Sequence, residues 1–245
     1  MIRALGGLAR ALAYYTILPA GRHSTGEPPD VAALQWLPGI GALVGVLAGL
    51  GAYAAFAWLH VSWAFVVAWA QTIGLTGALH VDGLLDACDG LFAAVPPQRR
   101  LEILRDVRHG TFAVVGMAIV AAFWLAALAA IAPPRYPLVL AFCGAAARLA
   151  VMPLAFGFPY AATGAMARTF AARPSPLSLV LNVIFVEVLA WAIAPWALTL
   201  APAAALVAWG GAAWASRRLG GGITGDVYGA SIVVTEVLML LALSK

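Results

Sequence analysis

The chain has 245 residues, of which 64% are hydrophobic and 10% charged, with a formal net charge of +4. Soluble domains run at roughly 45–50% apolar and about 25% charged, so ten acids and fourteen bases cannot clothe a water-soluble globule of this size. Intrinsic disorder is excluded for the opposite reason, since it needs low hydrophobicity and high charge. What remains is an all-α polytopic integral membrane helix bundle, one membrane domain over residues 1–245 with the lipid bilayer as its solvent.

Residues 1–20 read as an interfacial amphipathic segment. Arg3 and Arg10 lie on one helical face, and Ile2, Leu5, Ala9 and Leu12 spread over another. A signal peptide with residues 11–20 as its apolar core is the rival, but Arg10 cuts that core short. Apolar runs long enough to cross a bilayer as helices follow near 37–59, 61–81, 112–131 and 137–158, the last interrupted by Arg148. Residues 177–214 are too long for one span, and Pro195 and Pro202 both break helices. Two spans result, near 177–195 and 198–214, and a seventh at 228–243 closes the bundle. Lipid offers no partners to backbone N–H and C=O groups, so helices are the economical reading throughout.

Suppose the N-terminus is cytoplasmic. Arg3, Arg10, Arg22, Arg99, Arg100, Arg105, Arg108, Arg168, Arg173, Arg217 and Arg218 then fall inside, and only Arg135 and Lys245 fall outside. That asymmetry obeys the positive-inside rule. Asp30, Asp82, Asp86, Asp89, Asp106 and Asp226 land on the same side, which the rule does not require. The expectation is a multi-pass protein of the cell (inner) membrane with a cytoplasmic active face. The bases sit in short clusters between apolar runs, a topology pattern and not a nucleic-acid-binding face. Cys88 and Cys143 show no CxxC or Cys/His pattern and read as free thiols.

The strongest local feature is His80-Val-Asp-Gly-Leu-Leu-Asp-Ala-Cys-Asp-Gly90. On a helix Asp82, Asp86 and Asp89 share a stripe about 60° wide. Carboxylates this close repel and are costly near a membrane. Mg²⁺ removes that cost and also takes phosphate oxygens, so the three form the expected metal and catalytic cluster. His80 faces away from the stripe, as a phosphate donor or a structural neighbour. Downstream, Arg105 and Arg108 suit phosphate oxygens, and Asp106 beside them is a metal ligand or their salt-bridge partner. Gly220-Gly-Gly-Ile-Thr-Gly-Asp226 is a glycine-rich turn entering a helix, a geometry that suits phosphate approach. It nominates Gly221, Gly222, Thr224 and Gly225 for substrate and Asp226 for metal. Arg148, Glu187 and Glu236 are the charges within spans. The simplest account pairs Arg148 with Glu236, Glu187 or both, and a substrate role for Arg148 is the alternative.

Several of these stretches, taken together, resemble the cobalamin synthase family, the adenosylcobinamide-GDP ribazoletransferases, nearly end to end. They are Tyr15-Thr-Ile-Leu-Pro19, Leu37-Pro-Gly-Ile-Gly41, the His80–Gly90 motif, Leu101-Glu-Ile-Leu-Arg-Asp-Val-Arg-His-Gly-Thr111, Ala147-Arg148 and Gly221-Gly-Ile-Thr-Gly-Asp-Val-Tyr-Gly-Ala230. Val107, His109 and Tyr228 depart from the usual Ser, Ile or Leu, and aliphatic residues, but no aspartate or motif glycine is lost. The resemblance implies a Mg²⁺-dependent transferase joining adenosylcobinamide-GDP to α-ribazole or its 5′-phosphate. The products are adenosylcobalamin or its 5′-phosphate, and GMP. It is compatible with a homo-oligomer. Asp86-Ala-Cys-Asp89-Gly also resembles the start of the CDP-alcohol phosphotransferase motif, whose later aspartate pair is not reproduced. A transporter using Arg148, Glu187 and Glu236 is the non-enzyme alternative, against which the bare opposite face speaks.

Overall fold

A computed structural model describes residues 2–19, 30–161 and 173–245. Arg22 and Arg168, expected on the basic face, lie outside the described residues, as does the side chain of Arg3. Ten helices organise the description: α1 (Ile2–Tyr15), α2 (Leu37–Leu59), α3 (Ala64–Leu75), α4 (Leu79–Phe92), α5 (Pro97–Ile103), α6 (Thr111–Ala129), α7 (Tyr136–Val151), α8 (Pro176–Ile193), α9 (Leu200–Arg218) and α10 (Gly225–Leu243). No strand forms among the described residues, and the only extended pairing is an isolated bridge between Tyr160 and Ile223.

Among the described residues, six segments are long and apolar enough to cross a membrane: 37–59, 111–129, 133–157, 176–193, 195–218 and 225–243. A seventh exists if α3 and α4 count as one broken span, since they meet at 88°. α7 is buried nearly all round and forms the centre. α6 and α8 turn large apolar side chains outward, among them Ile119, Phe123, Leu181 and Ile184, as helices facing lipid do.

The tightest seam joins α2 to α7. Gly41, Gly45 and Gly49 on α2 lie directly against the backbone of Gly144, Leu140 and Pro137, where a methyl group would overlap main-chain atoms. Small residues let helices approach closely in lipid, where packing replaces the hydrophobic effect as the driving force.

Two boundaries differ from the sequence reading. The expected span 61–81 ends at Leu75, because Gly77 and Ala78 take successive left-handed conformations (φ +57° and +61°) that no α-helix tolerates. The chain restarts as α4, so the aspartate stripe begins a new helix instead of finishing the second span. Pro202 does not break α9 but sits in its first turn, where its missing N–H has no partner to lose. The break falls instead at Ala194, which is extended (φ −171°).

α4 is capped electrostatically at both ends. Asp82 stands in its first turn. At its other end the buried Arg100 guanidinium donates to the Gly90 and Leu91 carbonyls at 3.0 and 2.7 Å. Arg218 donates to the Leu91 and Ala93 carbonyls from α9. Acid at the N-terminus and base at the C-terminus match the helix dipole. Arg100 and Arg218 therefore serve the fold as well as the basic face.

Candidate active site

The site is built where α4 crosses α10. Gly83 leaves room for the backbone of Asp226 and Gly229, and Gly229 in turn faces the backbone of His80. This contact brings Asp82 and Asp86 of α4 beside Asp226 in the first turn of α10. The charges of Asp226, Asp82 and Asp89 all bear on Asp86, and the ring of His109, positive when protonated, opposes them. His109 Nδ1 stands 3.7 Å from Asp86 Oδ1.

The three aspartates of the stripe share one helix face but have different neighbours. Asp82 is exposed and lines a cleft with Asp226. Asp86 lies partly buried opposite His109. Asp89 is buried, and its carboxylate accepts the backbone N–H groups of Gly110 and Ala113, the latter at 3.0 Å. It therefore caps the N-terminus of α6, a satisfying partner for the orphan donors there. Of the carboxylates expected to hold metal, Asp82 and Asp86 stand beside Asp226, and Asp89 caps α6.

Asp106 is also otherwise engaged. Both its oxygens accept from the Arg108 guanidinium, at 3.0 and 2.9 Å, and this two-point contact pulls its carboxyl down to about 2. The pair sits on the surface, so of the two roles open to Asp106 the structure shows the salt bridge, which also occupies Arg108. Arg105 is exposed on the same loop and its charge reaches Tyr160.

The glycine turn does not present an open anion cradle. Gly220, Gly221 and Gly222 take φ of +83°, +110° and +149°, which only glycine adopts easily. The Gly221 N–H donates to the Ser216 carbonyl and the Gly222 N–H to the Ser216 hydroxyl. The Ile223 N–H goes to the Pro159 carbonyl, and the Gly225 N–H to the Tyr160 hydroxyl at 3.1 Å. These donors are taken within the chain, and of the three nominated glycines only Gly225 lines the cleft. Thr224 donates its hydroxyl to Asp226 Oδ2 at 2.9 Å and so fixes that carboxylate.

Below the cleft, Arg148 is 2% exposed. It donates to the Gly144 carbonyl and lies 3.8 Å from Glu236, which also accepts from the Trp124 indole at 3.3 Å. Arg148 is not part of the cleft lining, so its substrate role gives way to the pairing expected of it. Glu187 does not join the pair: its Oε2 is buried without a hydrogen-bond partner among the described residues. His80 is buried against the Tyr15 ring and separates the cleft from a small chamber that it shares with Arg148 and Glu236.

Tyr14, Tyr15, Tyr160 and Tyr228 complete the cleft, a space of about 180 Å³. The sequence reading missed all four as site residues. Tyr15 opens one quoted motif and Tyr228 lies within another, but only the folded chain brings them with Tyr14 and Tyr160 to one cleft.

As placed, no three His, Cys, Asp or Glu side chains among the described residues stand close enough to hold a metal ion. The donor set nonetheless fits one by its chemistry. Asp82, Asp86 and Asp226 offer hard carboxylate oxygens whose charges bear on one another.

Residues 7–244 match the cobalamin-5-phosphate synthase family. The chain belongs to that family. An adenosylcobinamide-GDP ribazoletransferase of Deinococcus radiodurans is 37% identical over 94% of the chain and 82% of its own length. Proteins with the same name from Bradyrhizobium diazoefficiens and Syntrophobacter fumaroxidans are 35% and 33% identical, covering 97% and 95% of the chain and 92% and 95% of themselves. No solved structure matches. The chain is thus a membrane-embedded transferase of cobalamin nucleotide-loop assembly.

Proposed function

We propose that this chain joins adenosylcobinamide-GDP to α-ribazole or its 5′-phosphate, releasing GMP and giving adenosylcobalamin or its 5′-phosphate, with Mg²⁺ as cofactor. The observation that carries the reading is the group of open carboxylates, Asp82, Asp86 and Asp226, at the mouth of a cleft walled by tyrosines. The family and the relatives' names supply the reaction class.

Asp82, Asp86 and Asp226 would hold Mg²⁺, which when bound neutralises diphosphate charge and stabilises the leaving GMP. Thr224 keeps Asp226 oriented through its hydroxyl. Asp89 fixes the start of α6 against α4 and so sets where the loop carrying Arg105 and His109 lies. Arg105, exposed on that loop, supplies positive charge to the phosphates entering from solvent. The ribose hydroxyl oxygen bonds to the cobinamide-side phosphorus as the bond from that phosphorus to the GMP oxygen breaks. Asp82 and Asp226 are the carboxylates lining the cleft to take the hydroxyl proton.

Apart from Arg135 and the buried Arg148, the Arg and Asp residues fall in the segments at one end of the bundle, which supports a cytoplasmic active face in the inner membrane. The test is purified protein in nanodiscs with adenosylcobinamide-GDP, α-ribazole and Mg²⁺, scored by chromatography for GMP and cobalamin. Both products should form together and only with divalent metal. Absence of GMP release, or release of CMP from a CDP-alcohol instead, overturns the reading.

A further inference from the structure

The cleft is graded from end to end. Its buried end is made of Leu37, Val151 and Ile232, each no more than 5% exposed. Its outer end carries exposed Asp82 and partly buried Asp226. The rings of Tyr14, Tyr160 and Tyr228 also line the cleft. Burial keeps the Tyr14 and Tyr160 hydroxyls protonated by pushing their pKa up. No Lys or Arg among the described residues lines the space. His80, 7% exposed, closes one side, and its Nε2 has no hydrogen-bond partner among the described residues.

These features select among the parts of the two substrates. The space of about 180 Å³ cannot admit a corrin macrocycle. A diphosphate belongs at the outer carboxylates, where the proposed Mg²⁺ would meet it, and not among aliphatic and tyrosine walls that carry no Lys or Arg. Guanine would bring a polar edge of donors and acceptors against aliphatic side chains, and buried polar groups left without partners are costly. A benzimidazole carrying methyl groups has an apolar edge and two π-faces, which suit aliphatic and tyrosine walls. Its ribose hydroxyls are donors, which suit carboxylates.

We propose that this cleft is the acceptor subsite, with the benzimidazole base of α-ribazole seated among Tyr14, Tyr160 and Tyr228 and its ribose turned to Asp82 and Asp226. The proposal rests on the function argued above and adds which substrate enters and in what orientation. It makes the tyrosines the determinants of acceptor specificity, acting on binding of the base. The corrinoid donor and its GDP approach from outside the cleft, toward Asp86 and the Arg105 loop.

The experiment uses the full chain in nanodiscs, with Tyr14→Leu, Tyr228→Leu and Tyr14→Phe variants checked by thermal melt. Steady-state kinetics are measured with each substrate varied against saturating partner, and α-ribazole binding without donor is measured by equilibrium dialysis. Loss of one stacking ring should raise the KM for α-ribazole about tenfold and weaken dialysis binding in parallel. The KM for adenosylcobinamide-GDP should not move, Tyr14→Phe should recover most of the lost affinity, and guanosine should not compete. A leucine variant that instead raises the donor KM, or leaves acceptor binding intact, overturns the proposal. If wild-type protein releases no GMP, the functional reading fails on its own, and dialysis still decides the subsite. Binding of α-ribazole weakened by the leucine variants then keeps it, and no binding to wild type ends it.

Discussion

Two groups of charged side chains lie along α10, roughly three turns apart, and the fold treats them in opposite ways. In the first turn Asp226 faces Asp82 and Asp86 with no fixed cation in the cleft lining. Deeper in, Glu236 has the Arg148 guanidinium on one side and the Trp124 indole on the other. The deep group is compensated by the protein itself, as a charge in lipid must be. The outer group has its repulsion left in place, at a crossing held open by Gly83 and Gly229. Like charges assembled with no Lys or Arg in the cleft lining support the proposed entry of a cation and a phosphate there, whereas a charge with its partner in place marks structure.

Breaking the deep pair should have the largest effect. Arg148→Ala strands Glu236 in a low-dielectric interior, and loss of one partner of a buried pair costs about 3–5 kcal/mol. Folded yield in detergent and the melting temperature should fall, and the double change Arg148→Met with Glu236→Gln should recover part of both. An Arg148→Ala protein with an unshifted melt and no activity would contradict the structural assignment.

Asp86→Asn sharpens the other half of the comparison. It removes one negative charge from the repelling group, so the melt should hold or rise slightly. Turnover should fall on the order of a hundredfold, equivalent to about 2.7 kcal/mol of barrier, with a raised Mg²⁺ requirement in a titration. Near-normal turnover at an unchanged Mg²⁺ optimum would place the metal elsewhere.

Asp89 sits in the same stripe as Asp86 but should respond like the deep group. Asp89→Ala removes the cap from α6 and should lower stability by about 1 kcal/mol, seen as a lower melting temperature. Residual turnover per folded molecule should exceed that of Asp86→Asn. The reverse order of the two activities would restore Asp89 to the ligand set.

The smallest effect belongs to Asp106→Asn. Its pair with Arg108 is exposed and screened by solvent, so the melt at neutral pH should not change. Because the Asp106 carboxyl is held down to about 2, whatever the pair contributes is present above the ordinary carboxylate range. It is lost only as pH falls toward about 2. A loss of Mg²⁺ response in Asp106→Asn would instead make it a ligand.

The helical spans were legible because bilayer thickness turns hydropathy directly into segment length. The α2–α7 seam was present as Gly41, Gly45 and Gly49 at four-residue spacing, a pattern that shows a close contact without saying with which helix. The pairing of Arg148 with Glu236 followed from the cost of an intramembrane charge, but the choice of Glu236 over Glu187 did not, since both lie at similar depth. Asp226 stands beside Asp82 and Asp86, while Asp89 caps α6 and Asp106 pairs with Arg108. Nothing in one-dimensional spacing distinguishes a carboxylate that caps a helix twenty-one residues on from one that faces a cleft.

From the sequence alone came the membrane class, the segments that cross, the end of the bundle where acids and bases gather, and the motifs that carry the family. All of these depend on local composition and on periodicity within one helix. The tertiary structure decided the break at Gly77 and Ala78, the division of labour among Asp82, Asp86 and Asp89, the closed hydrogen bonding of the glycine turn, and the meeting of four tyrosines in one cleft. Each of those depends on which helix packs against which. In lipid that choice is made by shape at glycine contacts and by a few buried polar bonds, and both become visible only when the partners are side by side.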